Sequence, residues 1–165
     1  MILSTSRTRI RRITESDFDE MMVVYGDLEL MKYVGDSTAL LEEDARKWIG
    51  ITLDNYQKRG YGLFLVEDLD GLCIGFAGIS HPGGQEQAEI KYTFKKAVWG
   101  TGIATEVVSG LTQYAFMAWN LPEVIATVDP ENVASGRVLE KSGFSRGADR
   151  VCDDSTVCQV WFARP

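Results

Sequence analysis

Two glycines between a predicted strand and a predicted helix constrain this chain more than any other feature. An alternating run over residues 88–94 predicts a strand, and apolar residues recur at helical spacing from Val107 onward. Gly100 and Gly102 lie between them, where the missing Cβ permits positive φ and lets another molecule approach the backbone. The first amides of a helix lack intrahelical partners, and the helix dipole favours negative charge there. The sequence therefore predicts an anion cradle suited to a phosphate.

This loop does not match two common nucleotide-binding motifs. A Walker A loop needs Gly-Lys-Ser or Gly-Lys-Thr, and neither follows the glycines. The dinucleotide fingerprint needs a third glycine where Thr105 stands. A glycine pair alone is weak evidence, so the loop by itself leaves open a phosphate cradle of another kind or a turn that merely starts a helix.

Two sequence blocks resemble the GNAT N-acetyltransferases. Residues 99–106, Trp-Gly-Thr-Gly-Ile-Ala-Thr-Glu, are similar to the acetyl-CoA pyrophosphate loop of the RimJ/RimL-type branch, Trp-Gly-x-Gly-Tyr-Ala-Thr-Glu. A second block, residues 130–135 and 138–144, fits the same branch in order and separation. The resemblance extends over about residues 8–162. It implies the GNAT fold and transfer of an acetyl group from acetyl-CoA to a primary amine.

Periodicity and turn signals predict an α/β chain with a mixed sheet. A mostly antiparallel sheet is expected, with one parallel β-α-β pair in which the helix over residues 101–119 is the right-handed crossover, and with helices on both faces. The predicted strands are residues 9–13, 63–67, 73–80, 87–94 and 124–128, with a final hairpin of 144–151 and 156–163 turning at Asp153-Asp154. The other predicted helices are one after a Thr14–Asp17 capping box, residues 28–33, residues 42–58 capped by Thr38, and residues 133–142.

The resemblance also implies where the coenzyme lies. The strands before and after the loop splay apart in this family, so the backbone of Phe94 is expected to face the pantetheine arm. The two cations Arg137 and Lys141 would meet the 3′-phosphate or the adenine, or else be solvent-facing helix charges. Many GNAT proteins have Arg or Gln where this chain has Trp99, so one phosphate contact differs. The expected diphosphate cradle consists of Trp99, Gly100, Thr101, Gly102, Ile103, Ala104 and Thr105.

Catalytic candidates follow the second block. The resemblance implies that Asn132 contacts CoA or the substrate and that the Ser135 hydroxyl protonates the leaving thiolate. Capping of the following helix is the alternative interpretation of Asn132. Leu139 stands where many relatives have a tyrosine acid, so a tyrosine acid at that position is excluded.

The candidate base is Glu89, by analogy with Glu-Ile-Gly-Tyr in the same branch. Here the run is Glu-Ile-Lys-Tyr, with Lys91 in place of glycine. A charge partner of a Lys or Arg is the alternative role for Glu89, and His81 or a water is an alternative base. Residues that could line the acceptor groove are Tyr33, Trp48 and Tyr92, although core packing is the simpler role for Trp48.

The chemistry of amines favours one acceptor class. Only a neutral amine attacks a thioester; an α-amine has a pKa near 8 and a lysine amine one near 10.4, so an α-amine needs only a weak base. The resemblance to the RimJ/RimL-type branch implies that the acceptor is the N-terminal α-amine of a protein or peptide, and the expected reaction is its direct attack in a ternary complex. Alternatives are a small amine acceptor (polyamine, amino acid or aminoglycoside) and a catalytically silent acyl-CoA-binding module.

Length and composition fit one globular domain, and the resemblance implies a single N-acetyltransferase domain over residues 1–165. The chain is 45% hydrophobic and 25% charged. No apolar run suits a bilayer and the first residues do not resemble a secretion signal, so a cytoplasmic protein without a membrane partner is expected. The net charge of −7 disfavours nucleic acid and favours a cationic substrate. The basic residues between 7 and 12 are interpreted as the solvated face of an edge strand, and both monomer and homodimer stay open.

The cysteines predict neither a disulfide framework nor a zinc site. Cys73, Cys152 and Cys158 are odd in number and include no Cys-x-x-Cys pair. Reduced thiols and no metal cofactor are therefore expected, and direct transfer requires no cysteine nucleophile.

Overall fold

The computed structural model describes residues 1–35, 37–152 and 157–165. Over these residues the protein is a mixed α/β structure with a nine-stranded sheet. The strands are β1 (Leu3–Ser4), β2 (Thr8–Arg12), β3 (Leu63–Asp68), β4 (Cys73–Ser80), β5 (Ala88–Phe94), β6 (Val124–Val128), β7 (Ser145–Arg146), β8 (Arg150–Val151) and β9 (Val157–Ala163). The α-helices are α1 (Phe18–Tyr25), α2 (Glu42–Arg59), α3 (Ile103–Trp119) and α4 (Val133–Lys141). None of the helices in these ranges is long and apolar enough to cross a bilayer.

The sheet order is β1-β2-β3-β4-β5-β6-β9-β7, with β8 paired to β9. Among the described strands, β5 and β6 are the parallel pair and the other pairs are antiparallel. The parallel ladder holds only Ala88 against Val124 and Glu89 against Ile125. Beyond that point the two strands are no longer paired, which opens a gap that leads toward the glycine loop.

The two faces of β5 meet different helices. Tyr92 shares a face with Ala77 and reaches Ser135 of α4. Thr93 shares the opposite face with Phe76, whose ring lies 5.5 Å from that of Tyr25 in α1. Because side chains alternate along a strand, Glu89 and Lys91 share the face of Thr93. Helices on both faces and one parallel pair confirm the fold predicted from the sequence.

Most predicted elements match the observed ones to within two residues. The Thr14–Asp17 capping box is present, and Asn120 and Gly143 end α3 and α4 with φ of 52° and 87°. The first half of the predicted final hairpin forms only the two short strands β7 and β8. Its predicted turn at Asp153-Asp154, together with residue 156, lies outside the described residues.

The predicted helix over residues 28–33 is wrong, because these residues form consecutive turns. Oδ1 of Asp27 accepts the N–H of Glu29 at 2.8 Å and that of Leu30 at 3.4 Å. An acceptor side chain this close in sequence competes with helical hydrogen bonds. The segment therefore leaves α1 by a turn anchored on Asp27.

The predicted cap of α2 is also wrong. The N-cap is Leu41, which supplies no side-chain hydrogen bond, and Thr38 lies outside the helix. Three acidic residues in the first turn, Glu42, Glu43 and Asp44, interact favourably with the helix dipole at this end, which has no side-chain cap. Gly60 ends the helix in the left-handed region at φ 83°, as predicted.

The cysteine prediction is wrong in part. Cys152 and Cys158 form a disulfide with Cα atoms 6.0 Å apart, whereas Cys73 is a free thiol. Residue 150 pairs with Cys158 across β8 and β9, so the hairpin register brings the two sulfurs together. Sequence spacing could not show this, because the pairing depends on how the two strands align.

Candidate active site

The glycine loop has the conformation that its sequence predicts. Gly100 and Gly102 adopt φ of 73° and 84°, in the left-handed region where glycine is favoured. A Cβ added at Gly100 would meet no atom within 4 Å, so the space above the loop is open. The loop is exposed and leads directly into α3.

Several backbone N–H groups of this loop have no hydrogen-bond acceptor within the described residues and are available to a ligand. Among the described residues, the N–H groups of Gly100, Gly102, Ala104 and Thr105 donate no hydrogen bond. They gather at the N-terminus of a 17-residue helix, whose dipole favours negative charge. The residues present therefore fit a diphosphate.

A partly exposed ion pair between Arg7 and Glu106 ties the loop and the start of α3 to the segment before β2. The Glu106 carboxylate in the first turn of α3 accepts three hydrogen bonds, from Ser6 Oγ at 2.9 Å, from Arg7 N at 2.9 Å and from Arg7 Nε at 2.7 Å. Arg7 Nη1 also donates to the carbonyl of Thr101 at 2.9 Å. Burial would raise the pKa of Glu106, but the hydrogen bonds from Thr5, Arg7 and Ser6 together lower it to about 2. Arg7 was expected only as part of a solvated basic cluster, because nothing in the local sequence pattern indicates a partner 99 positions away.

Trp99 links the loop to the end of β5. Its indole N–H donates to the carbonyl of Phe94 at 2.8 Å, while 53% of the residue is exposed. That carbonyl lies beside the gap between β5 and β6, where a pantetheine arm was expected. Since a carbonyl has a second lone pair, Phe94 keeps one acceptor position besides the one that Trp99 occupies.

Asn132 and Ser135 lie at the start of α4, and Tyr92 of β5 contacts Ser135. Oδ1 of Asn132 accepts the N–H of Ser135 at 3.1 Å, so the capping alternative is confirmed. Tyr92 Oη lies 2.6 Å from Ser135 Oγ. Burial raises the pKa of Tyr92 to about 12 even though the hydrogen bond to Ser135 lowers it. The result is a pair of neutral hydroxyls that joins α4 to β5.

Tyr92 was expected only as a residue lining the acceptor groove, and its hydrogen bond to Ser135 was not predicted. The only signal in the sequence was that Tyr92 keeps the tyrosine of the Glu-Ile-Gly-Tyr run, whereas Lys91 replaces its glycine. The contact could not be derived from spacing, because 43 positions separate Tyr92 from Ser135.

Glu89 is buried under several donors, with 1% of its side chain exposed. It accepts hydrogen bonds from Lys91 Nζ, from Thr127 Oγ1, from Thr127 N at 3.2 Å and from Gln85 Nε2 at 3.1 Å. Arg150 Nη2 lies 3.7 Å from it. Burial would raise the pKa of Glu89, but the contacts with Lys91, Thr127 and Arg150 lower it. A carboxylate so occupied is a poor base, and its geometry matches the charge-partner alternative.

The remaining candidates lie apart from this cluster or stay open to solvent. Arg137 and Lys141 are exposed on α4, and among the described residues neither forms an ion pair. The ring nitrogens of His81 contact Tyr61 Oη and the carbonyl of Gln85, both at 3.0 Å.

Trp48 packs edge-on against Tyr25 at 5.4 Å, as expected of a core residue, and Tyr33 contacts Lys32 through its ring. Burial raises the pKa of the Cys73 thiol to about 11, which makes it a poor nucleophile.

Comparisons with known proteins identify the family to which this chain belongs. The Acetyltransferase (GNAT) domain family matches residues 7–145. The chain belongs to the GNAT acetyltransferase family. Among curated relatives of this GNAT protein, the uncharacterized N-acetyltransferase YoaA of Bacillus subtilis is 33% identical over 150 residues, covering 88% of this chain and 83% of YoaA.

Solved GNAT structures share the fold. A GNAT-family acetyltransferase from Bacillus anthracis aligns with a TM-score of 0.84 at 24% identity, covering 99% of this chain and 98% of that one. RimL, a ribosomal-protein α-N-acetyltransferase in complex with coenzyme A, aligns with a TM-score of 0.84 at 15% identity, covering 99% and 97%. At these identities the likeness confirms the GNAT fold predicted from the sequence. Family membership makes the protein an N-acetyltransferase.

Proposed function

We propose that this acetyl-CoA-dependent N-acetyltransferase modifies the α-amine of a protein or peptide by direct attack in a ternary complex. The observation that carries the proposal is the state of Glu89: the carboxylate beside the gap is covered by donors and has a lowered pKa. A site with so weak a base suits the amine that needs least deprotonation. An α-amine has a pKa near 8, whereas a lysine amine near 10.4 would need about 3 kcal/mol more.

The coenzyme is proposed to lie along the glycine loop and the gap. The open amides of Gly100, Gly102, Ala104 and Thr105 support a diphosphate site. The end of pairing between β5 and β6 after Glu89 supports a pantetheine arm beside Phe94, and the side-chain amide of Asn132 is assigned to contact the coenzyme or the acceptor. Arg137 and Lys141 are exposed cations on α4 that suit the 3′-phosphate. Trp99, Thr101 and Ile103 complete the loop and shape it rather than donate to the phosphates.

Acetyl-CoA supplies a thioester: a C–N bond forms to its carbonyl carbon, the C–S bond breaks, and the thiolate must gain the proton equivalent that the amine loses to water. We assign the donor role to Ser135, because its hydroxyl lies at the N-terminus of α4 beside the gap. Tyr92, hydrogen-bonded to Ser135 and neutral with a pKa of about 12, can return a proton to Ser135. Glu89 holds Lys91 and Thr127 in place across the gap.

The acceptor class is tested by measuring CoA release with three amines at equal concentration. These are a short peptide with a free α-amine and no lysine, the same peptide acetylated at its N-terminus with one internal lysine, and spermidine. The proposal expects the first to react at least about tenfold faster than the others, since positioning acts on the amine that is already neutral. Faster reaction of the internal lysine or of spermidine would contradict the α-amine assignment.

The role of Ser135 is tested with Ser135→Ala and with Ser16→Ala as a control, since Ser16 is exposed and remote from the gap. Loss of a general acid commonly costs about a hundredfold or more in rate. We expect kcat to fall at least about tenfold in Ser135→Ala, with CoA affinity and melting temperature unchanged. An unchanged kcat would remove Ser135 from the mechanism.

We also propose that residues 1–165 act as one catalytic domain, because the B. anthracis structure aligns with 99% of this chain. A cytoplasmic location is proposed from the sequence alone. The Cys152–Cys158 disulfide argues in the other direction, since disulfides are rare in reducing compartments. Rapid alkylation of the protein in intact cells before lysis would test this, because reduced thiols are expected of a cytoplasmic protein and a disulfide of one in an oxidising compartment.

A further inference from the structure

Two cations converge on the one buried carboxylate beside the gap. Lys91 Nζ bonds to Glu89 and also contacts Thr127 Oγ1 at 3.2 Å. Arg150 Nη2 lies 3.7 Å from Glu89 and 3.3 Å from Gln85 Oε1. The carboxylate neutralises only one of the two, so this group, which we call the Lys91–Arg150 pair, carries one net positive charge.

The Lys91–Arg150 pair remains open to a ligand. The Lys91 side chain is 47% exposed and that of Arg150 is 36% exposed, whereas that of Glu89 is 1% exposed. Within the described ranges, Nε and Nη1 of Arg150 donate no hydrogen bond. An arginine with unused donors on its planar fork is suited to a carboxylate, which it can bind through two oxygens.

The position of the pair relates it to the acceptor. Lys91 lies on β5 two residues beyond Glu89, the last residue of β5 that pairs with β6, and its ammonium reaches Thr127 on β6, so it spans the gap. It occupies the face of β5 opposite Tyr92 and Ser135. If the coenzyme enters from the side of the loop and α4, the acceptor approaching from the other face meets Lys91 and Arg150 first.

We propose that the acceptor carries a carboxylate close to its reacting amine, and that Lys91 and Arg150 are the residues that select it. This inference rests on the proposed function, because it specifies the amine that the same site accepts. In peptide terms, the acceptor has Asp or Glu within its first residues. A polycation is disfavoured, because Lys91 already occupies Glu89 and a further ammonium would face two like charges. The inference reverses the expectation of a cationic substrate drawn from the net charge of −7.

The test uses two short peptides that differ only at the second residue, Asp or Asn, each with a free α-amine and no lysine. CoA release gives kcat/KM for the wild-type protein, for Lys91→Met and for Arg150→Gln. The matched control is Lys58→Met, which removes the same charge from the exposed end of α2, where Lys58 pairs with Asp54. Melting temperature and CoA affinity, measured for every variant, show whether each one folds.

We expect the wild-type protein to prefer the Asp peptide by about tenfold, since a hydrogen-bonded charge pair commonly contributes at least that factor. The preference should fall below about threefold in Lys91→Met and Arg150→Gln and persist in Lys58→Met. Equal rates with both peptides in the wild-type protein, or a preference that survives both site variants, would overturn the inference while leaving the α-amine assignment intact. Failure to acetylate either peptide, together with reaction of lysine or spermidine, would instead overturn the proposed function.

Discussion

The Glu106→Gln substitution tests how the phosphate loop is held in place. Glu106 ties residues 6 and 7 to the first turn of α3, and its partner Arg7 in turn holds the carbonyl of Thr101. A glutamine keeps one acceptor oxygen but presents an amide N–H₂ where the carboxylate accepted Arg7 Nε. The substitution therefore leaves one donor facing another beneath the loop.

The size of the effect follows from the pKa of Glu106, which falls from 4.5 to about 2 on folding. Such a lowering corresponds to about 3 kcal/mol of stability at neutral pH. Because 47% of the Arg7 side chain is exposed, solvent screening reduces this, and we expect Glu106→Gln to lower the free energy of unfolding by about 2 kcal/mol. A carboxylate with a depressed folded-state pKa stabilises fully above about pH 4.5 and loses its contribution as the pH falls toward 2. The free energy of unfolding of the wild-type protein should therefore fall as the pH is lowered from 4.5 to 2. Over the same pH range, that of Glu106→Gln should fall by about 2 kcal/mol less.

Urea denaturation at pH 7, 4.5 and 3 measures both quantities, and calorimetric titration with CoA at pH 7 measures the effect on the loop. CoA affinity is expected to fall about tenfold, because the loop amides lose their fixed orientation. Glu86→Gln is the control, since Glu86 is exposed and remote from the loop. Equal urea midpoints and equal CoA affinity for Glu106→Gln and the wild-type protein would refute the reasoning.

Three further substitutions test other parts of the account. Tyr92→Phe leaves Ser135 Oγ without its 2.6 Å partner, and we expect kcat to fall about tenfold with CoA affinity unchanged; an unchanged kcat would exclude a shared proton path. Gly100→Val places a branched side chain at φ 73° in the open cradle, so CoA affinity should fall at least about tenfold and stability by about 1–2 kcal/mol; full CoA affinity would show that no ligand approaches this backbone. The Cys158→Ser variant should lose about 2 kcal/mol of unfolding free energy, because the disulfide closes a loop with a sequence separation of 6. Reductant should destabilise the wild-type protein equally and leave the variant unchanged, and insensitivity of the wild-type protein would contradict the pairing.

Features set by neighbouring residues were predictable from the sequence. Gly100 and Gly102 predicted the left-handed turns of the loop, and Asn132 predicted a helix cap, because each acts within a few positions. The parallel pair followed from the strand, helix, strand order, which admits few topologies. The same local logic failed for residues 28–33, where the side chain of Asp27 competes with the helix.

Features that depend on distant residues were not predictable. The partners of Glu89 come from β5, from β6, from the segment before β5 and from β8. No spacing rule joins these four segments, so the sequence left open whether Glu89 is a base or a charge partner. The Arg7–Glu106 pair and the disulfide of the last hairpin were missed for the same reason.

The most direct test of the account is a crystal structure of the protein with bound CoA. It should place the diphosphate within 2.7–3.2 Å of the amides of Gly100, Gly102, Ala104 and Thr105, and the thiol sulfur beside Ser135 Oγ. A diphosphate bound away from these amides, or a thiol directed away from α4, would contradict the central claim that the main chain of this loop holds the coenzyme and aims it at Ser135.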